Sequence, residues 1–142
     1  NYSNSNKISA FEKDRVANFI VTHLEKYGDP LSAVKKAIDY AAKDRPGLGG
    51  HVFLMKQDDK IISAIIMNKT GMDEYIPENI LVYIATHKAY RGNGIGKKLL
   101  QYAINNSKGD IALHCDKNNP AKFLYEKLGF TNPYLEMRLK KT

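Results

Sequence analysis

Apolar positions recur at near-helical spacing over the first third of the chain. From about Ser9 to Tyr27, the residues Phe11, Val16, Phe19, Ile20 and Leu24 mark one helix, and "YGDP" supplies its stop. After Pro30, Leu31, Val34, Ile38 and Ala41 form a second apolar stripe that ends before "RPGLGG". The period then changes. "HVFLMKQ" and "KIISAIIMN" are rich in β-branched and apolar residues and are separated by "DD", which predicts a hairpin. "TGMDEYIPEN" reads as a polar loop. "ILVYIAT" follows as a third strand, and its near-continuous apolarity predicts burial on both faces.

The second half alternates helices and strands. A helix from about Gly94 to Asn106 carries Ile95, Leu99, Leu100, Ala103 and Ile104 on one stripe. "DIALHC" reads as a strand, and "NPAKFLYEKLGF" as a helix with Gly129 as its C′ residue. "YLEMRLK" reads as a closing strand. This order predicts an α/β (α+β) domain, with antiparallel pairing early and crossover helices late.

Length narrows the picture, because 142 residues suit a single domain over 1–142 and no Pro/Gly/Ser-rich linker or repeat divides them. No apolar run approaches the ~20 residues of a membrane span, and the first residues hold no apolar signal-peptide core. A lone cysteine, Cys115, cannot form an internal disulfide, which makes a reducing cytoplasm the expected compartment. A buried thiol is its expected state, since no partner motif for nucleophilic work accompanies it. The net charge of +7 favours anionic ligands. Most of that charge lies interleaved with acids, as a solvated surface requires. The exception is Lys88, Arg91, Lys97 and Lys98, which crowd around three alternate glycines in "THKAYRGNGIGKKLL".

A strand, then glycines, then a helix N-terminus makes a physical anion site. The first N–H groups of a helix lack intrahelical partners, and glycine lets an anion approach them without a Cβ. Spacing excludes two familiar phosphate loops. A Walker loop requires Ser or Thr at Lys98 and Gly at Arg91. The dinucleotide fingerprint requires Gly at Lys97 when begun at Gly92, or at Leu99 when begun at Gly94.

Arg91, Gly94 and Gly96 do fit R-x-x-G-x-G. With its flanking strand and helix, this stretch resembles the coenzyme A pyrophosphate loop of the GNAT superfamily of N-acetyltransferases. "NNPAKFLYEKLGF" is similar to a second signature of that family, with Asn118, Ala121 and Tyr125 at the matching positions. The two signatures lie in the family's order, and the resemblance covers nearly the whole chain. One departure is the family's first strand, which is not evident in "NYSNSNKISA".

The resemblance implies a GNAT acyltransferase fold: a mixed, mostly antiparallel central sheet flanked by helices on both faces. It implies acetyl-CoA as co-substrate, no metal, and acetyl transfer to a primary amine by direct attack. The pyrophosphate is expected on Arg91, Gly92, Asn93, Gly94, Ile95, Gly96 and Lys97, with Lys98 as a further cation. The pantetheine arm is expected to pair with Ile84, Ala85 and Thr86 where the third strand splays from the next, and one N–H there, by analogy that of Ile84, to polarise the thioester carbonyl. Asn118 is expected to hydrogen-bond the coenzyme, with helix capping as its bland alternative. Tyr125 is expected to act as general acid to the departing thiolate.

For the general base, Glu78 comes first by its place just before "ILVYIAT", ahead of Glu74, His87 and His114. Tyr27, Asp29, Tyr40 and the "TGMDEYIPEN" loop are acceptor-side candidates by position. The expected partner is a small-molecule or peptide amine, with no nucleic acid and no membrane, and a homodimer is left open. Two readings compete: a catalytically weak CoA-binding sensor or partner module of the same fold, and a basic nucleic-acid-binding domain, for which the chain carries no signature.

Overall fold

The computed structural model describes residues 1–3 and 6–141. The two early stripes form α1 (Ala10–Leu24) and α2 (Leu31–Ala41). Ser9 caps α1 by accepting a hydrogen bond from Glu12 N at 3.1 Å. A short 3₁₀ turn, Glu25–Tyr27, continues α1 toward the α2 loop. The hairpin is β1 (Gly50–Gln57) and β2 (Lys60–Lys69), joined by Asp58 and Asp59, both at positive φ as a two-residue primed turn demands. Next come β3 (Asn79–Thr86), α3 (Ile95–Asn105), β4 (Ile111–Leu113) and α4 (Lys122–Lys127). Gly129 follows α4 at φ +100°, the left-handed geometry of a C′ glycine.

The sheet runs β1-β2-β3-β4. β1/β2 and β2/β3 pair antiparallel, and β3/β4 pair parallel through the α3 crossover. Helices cover both faces. Val16, Ile20, Val34 and Ile38 pack with Val52, Ala64, Ile66 and Tyr83 on one side. Leu99, Leu100, Ala103 and Tyr125 pack with Phe53, Ile65, Met67 and Leu81 on the other. The architecture is therefore the mixed, mostly antiparallel, doubly covered sheet expected from the sequence.

Three details differ from the sequence pattern or refine it. The strand covered throughout is β2, whose residues Ile61–Asn68 are all buried, whereas buried and half-buried residues alternate along β3. Apolarity in β3 reflects a strand that borders a cleft rather than one sealed on both faces. Among the described residues before α1, Tyr2 alone joins the sheet: it exchanges two backbone hydrogen bonds with Val52, at 2.8 and 2.9 Å.

The expected closing strand is a correction. Residues 134–140 join no strand, and Tyr134, Leu135, Met137 and Leu139 are 85–89% exposed. Strand propensity needs a paired neighbour, and β4 offers only three residues of ladder, all paired with β3.

Candidate active site

Register brings the site together. β2 and β3 stay paired from Ser63↔Thr86 to Lys69↔Asn79, with an irregularity that leaves Val82 unmatched opposite Ile66/Met67. Val82 and Tyr83 consequently both pack toward the α1/α2 core, whereas strict alternation would send them to opposite faces. On its other side β3 pairs with β4 only at Asn79, Ile80 and Leu81. β4 ends at Leu113, opposite Leu81, and no strand pairs with β3 on that side beyond it, so the backbone of Val82 to Thr86 borders an open cleft of about 590 Å³. The end of α1, the α4 segment and Arg138 complete its walls.

At one end of the cleft lies the glycine loop. Gly92 and Gly94 sit at φ +85° and +74°, and a Cβ on either would meet nothing within 4 Å. Conformation rather than space thus demands glycine there. Gly96 differs, because a Cβ would lie 3.1 Å from Thr86 Oγ1. The first helical bond of α3 runs from Lys98 N to the Gly94 carbonyl. The N–H groups of Ile95, Gly96 and Lys97 are left to serve an anion at the positive end of the helix dipole.

Arg91 borders the cleft but is not idle. Its Nε donates to the Thr86 carbonyl at 3.2 Å, and its Nη2 donates to the His23 carbonyl. The guanidinium therefore ties the loop to α1 and to the end of β3. Lys97 and Lys98 are exposed and form no ion pair among the described residues, and Asn93 turns its amide back to the Tyr90 carbonyl.

Tyr125 also borders the cleft, 7% exposed, with its ring edge-on to Phe130 at 5.9 Å. Burial, with a smaller contribution from nearby Cys115, pushes the phenol up to about 12. The thiol of Cys115 is itself raised, by burial and then by Asp116. Asn118 is exposed and does not itself line the cleft, though its neighbour Asn119 does; its carbonyl accepts from Tyr27 OH at 3.3 Å. Nor does Asn118 cap the helix: the N-cap residue of α4 is Ala121, with no side-chain cap, and Asn119 Oδ1 accepts from Ala121 N at 3.0 Å in the turn before it.

Glu78 is not brought to this cleft. Its carboxylate accepts from Asp110 N at 3.3 Å and fills the space beside Gly109, at the paired end of β3 and β4. His87 is also outside: its ring lies 4.2 Å from that of His23, and its Nδ1 accepts from Ala89 N. His114 does border the cleft, as do Tyr27 and Asp29. Tyr40 instead donates to the Lys69 carbonyl, away from it.

Tyr83 is the residue that sequence reasoning passed over. It is buried on β3, and its hydroxyl donates to Asp29 Oδ2 at 2.5 Å across 54 positions of sequence. The signal was a phenol inside an aliphatic strand, because a buried tyrosine hydroxyl requires a partner.

The profile of the acetyltransferase (GNAT) domain matches residues 48–132, from β1 through α4 and the whole cleft wall they build. The chain belongs to the GNAT family. That family comprises acyl-CoA-dependent N-acetyltransferases. Solved structures share the fold. A transcriptional regulator from Bacillus halodurans C-125 is 21% identical with a TM-score of 0.68, over 95% of this chain and 97% of that one. The ribosomal-protein-S18-alanine N-acetyltransferase from Escherichia coli is 16% identical with a TM-score of 0.67, over 90% and 77%. An aminoglycoside N-acetyltransferase solved with CoA is 15% identical with a TM-score of 0.67, over 94% and 91%. At these identities the likeness is one of fold.

Proposed function

We propose that this GNAT domain transfers an acetyl group from acetyl-CoA to a primary amine by direct attack. The observation that carries the reading is the β3 edge left without a partner after Leu81, where β4 ends, in a cleft lined by Arg91, Gly96 and Tyr125 together. The residues fit the donor. Unobstructed glycines and the first N–H groups of α3 suit a pyrophosphate, with Lys97 and Lys98 adding charge. Arg91 holds that loop in place through its two carbonyl contacts. The β3 edge that β4 leaves unpaired at Ile84, Ala85 and Thr86 would offer backbone groups to the pantetheine amides, the Thr86 carbonyl being already taken by Arg91 Nε, and an N–H there would polarise the thioester carbonyl. Asn118, whose carbonyl accepts from the cleft residue Tyr27, would contact the coenzyme from beside the cleft.

Tyr125 supplies the proton that the leaving thiolate needs. A phenol raised to about 12 stays protonated throughout the working range. Full transfer to a thiolate whose acid lies near ~8.5 is uphill by roughly 5 kcal/mol, so the phenol acts as a hydrogen-bond donor that gives up its proton late. The amine must shed its own proton before attack. His114, rather than Glu78, is the base that borders the cleft on the β4 side.

Two measurements test this reading. Acetyl-CoA should raise the melting temperature, and thiol release should follow with a member of an amine panel spanning amino acids, polyamines, aminoglycosides and peptide N-termini. Tyr125→Phe preserves the ring packing and should lower turnover about 10²-fold or more with little change in coenzyme binding. Full rate in that variant would remove Tyr125 from its role, and no stabilisation by acetyl-CoA would count against the reading as a whole.

A further inference from the structure

The charged side chains bordering the cleft are mostly committed. Glu25 pairs with Lys88 Nζ at 3.0 Å and lies 3.9 Å from Arg91 Nη1. Arg91 donates to two carbonyls, and Arg138 pairs with Glu136. Asp29 differs. It borders the cleft, is exposed, and makes no ion pair among the described residues. Its Oδ2 accepts the short hydrogen bond from Tyr83, and Oδ1 has no donor among the described residues.

Tyr83 gives this carboxylate a fixed position. The phenol is 8% exposed and belongs to the sheet, one residue before Ile84. Burial, then the hydrogen bond to Asp29, raises its pKa, so it remains a donor at every working pH. A lone loop aspartate is thereby anchored to β3, whose backbone from Val82 to Thr86 lines the same cleft. What such a group presents to an incoming molecule is one anionic oxygen, pre-oriented beside the reacting edge.

Resting on the acetyltransferase reading above, we propose that Asp29, positioned by Tyr83, docks the ammonium of the acceptor. The acceptor is then a primary amine with no carboxylate on the amine-bearing carbon. A free α-amino acid would set its own carboxylate against Asp29. An alkylamine, or a peptide N-terminus whose next group is a neutral amide, would not. Asp29 binds the cation and Tyr83 is a positioning residue; neither need take part in the chemistry.

The test uses the full chain saturated with coenzyme A, so that no turnover occurs, and follows binding by NMR titration. The probes are two matched pairs: butylamine with butan-1-ol, and alaninamide with alanine. The expected result is at least tenfold tighter binding of butylamine than of butan-1-ol, and of alaninamide than of alanine. The relative strengths of butylamine and alaninamide tell a small alkylamine acceptor from a peptide N-terminus. Asp29→Asn should weaken both amines about tenfold or more, enough to erase both preferences. Tyr83→Phe should weaken them less, with coenzyme A binding unchanged in both variants. Asp14→Asn, the same charge change on the outer face of α1, should leave all four values alone. Equal affinity within the pairs, no binding of either amine, or unchanged binding in Asp29→Asn would overturn the proposal while leaving the acetyltransferase reading intact. Failure of the wild-type protein to bind coenzyme A would instead strike that reading itself. Should Tyr83→Phe lose its fold, Asp29→Asn on its exposed loop still decides.

Discussion

Glu12 shows how strongly one residue can be held away from the cleft. It is 6% exposed on α1, and its carboxylate accepts from Lys56 Nζ at 2.5 Å, Tyr2 OH at 2.9 Å and Arg15 Nη1 at 3.1 Å. Burial alone would raise its pKa, but the hydrogen bonds from Lys56 and Tyr2 and the charges of Lys56 and Arg15 outweigh it, and the net shift is downward. A carboxyl lowered by folding stabilises the native state above its unfolded pKa, and that contribution disappears as pH falls through the folded value. Glu12→Gln should therefore cost about 1–3 kcal/mol at neutral pH. The gap from wild type should close as the solution is acidified below the ordinary carboxylate range. Urea midpoints of both proteins as a function of pH would show it. Tyr125 sits at the other extreme: because its phenol titrates near 12, turnover should climb with pH as the amine deprotonates. A rate that falls between pH 8 and 10 would contradict that assignment.

Among the elements, the join between β3 and α3 carries the most consequence. Gly94 ends the loop in the left-handed region, at φ +74°, with open space around it. Gly94→Ala should cost about 1–2 kcal/mol through backbone strain rather than through a clash. If the N–H groups of α3 hold the pyrophosphate, the same variant should lose coenzyme affinity about tenfold or more in a thermal-shift titration, beyond what its lower stability explains. The elements legible in sequence are those with enough local repeat: α1, α2 and α3 come within a few residues of their apolar stripes, and "DD" marks the hairpin. Residues 134–140 alternate like a strand and form none, because pairing is a property of the neighbour and β4 is only three residues long.

At the scale of the whole molecule, charge and donor chemistry meet. A protein of net charge +7 taking a polyphosphate ligand at a loop beside Lys97 and Lys98 should bind it less tightly as salt rises. Acetyl-CoA affinity should fall several-fold between about 50 and 500 mM NaCl, where the Debye length shrinks by about a factor of three. At a hundredfold excess over its Kd, acetyl-CoA should stabilise the fold by about 2.7 kcal/mol, readable as a concentration-dependent melting temperature. A salt-independent Kd would show that the lysines play no part in holding the ligand.

The two glycine- and tyrosine-bearing signatures were legible in the chain because each acts locally. Positive φ at Gly92 and Gly94, a helix N-terminus, and Tyr125 on the inner face of α4 all follow from residues within a dozen positions of one another. The family came with them. The tertiary structure alone decided which side chains share the cleft. It sent Glu78 to the backbone of Asp110, fastened Arg91 to carbonyls of α1 and β3, and brought Asp29 to Tyr83 from 54 positions away. Those contacts depend on strand register, on the irregularity at Val82 and on where β4 ends. Register is set by the packing of both faces at once, and no window of sequence contains both faces.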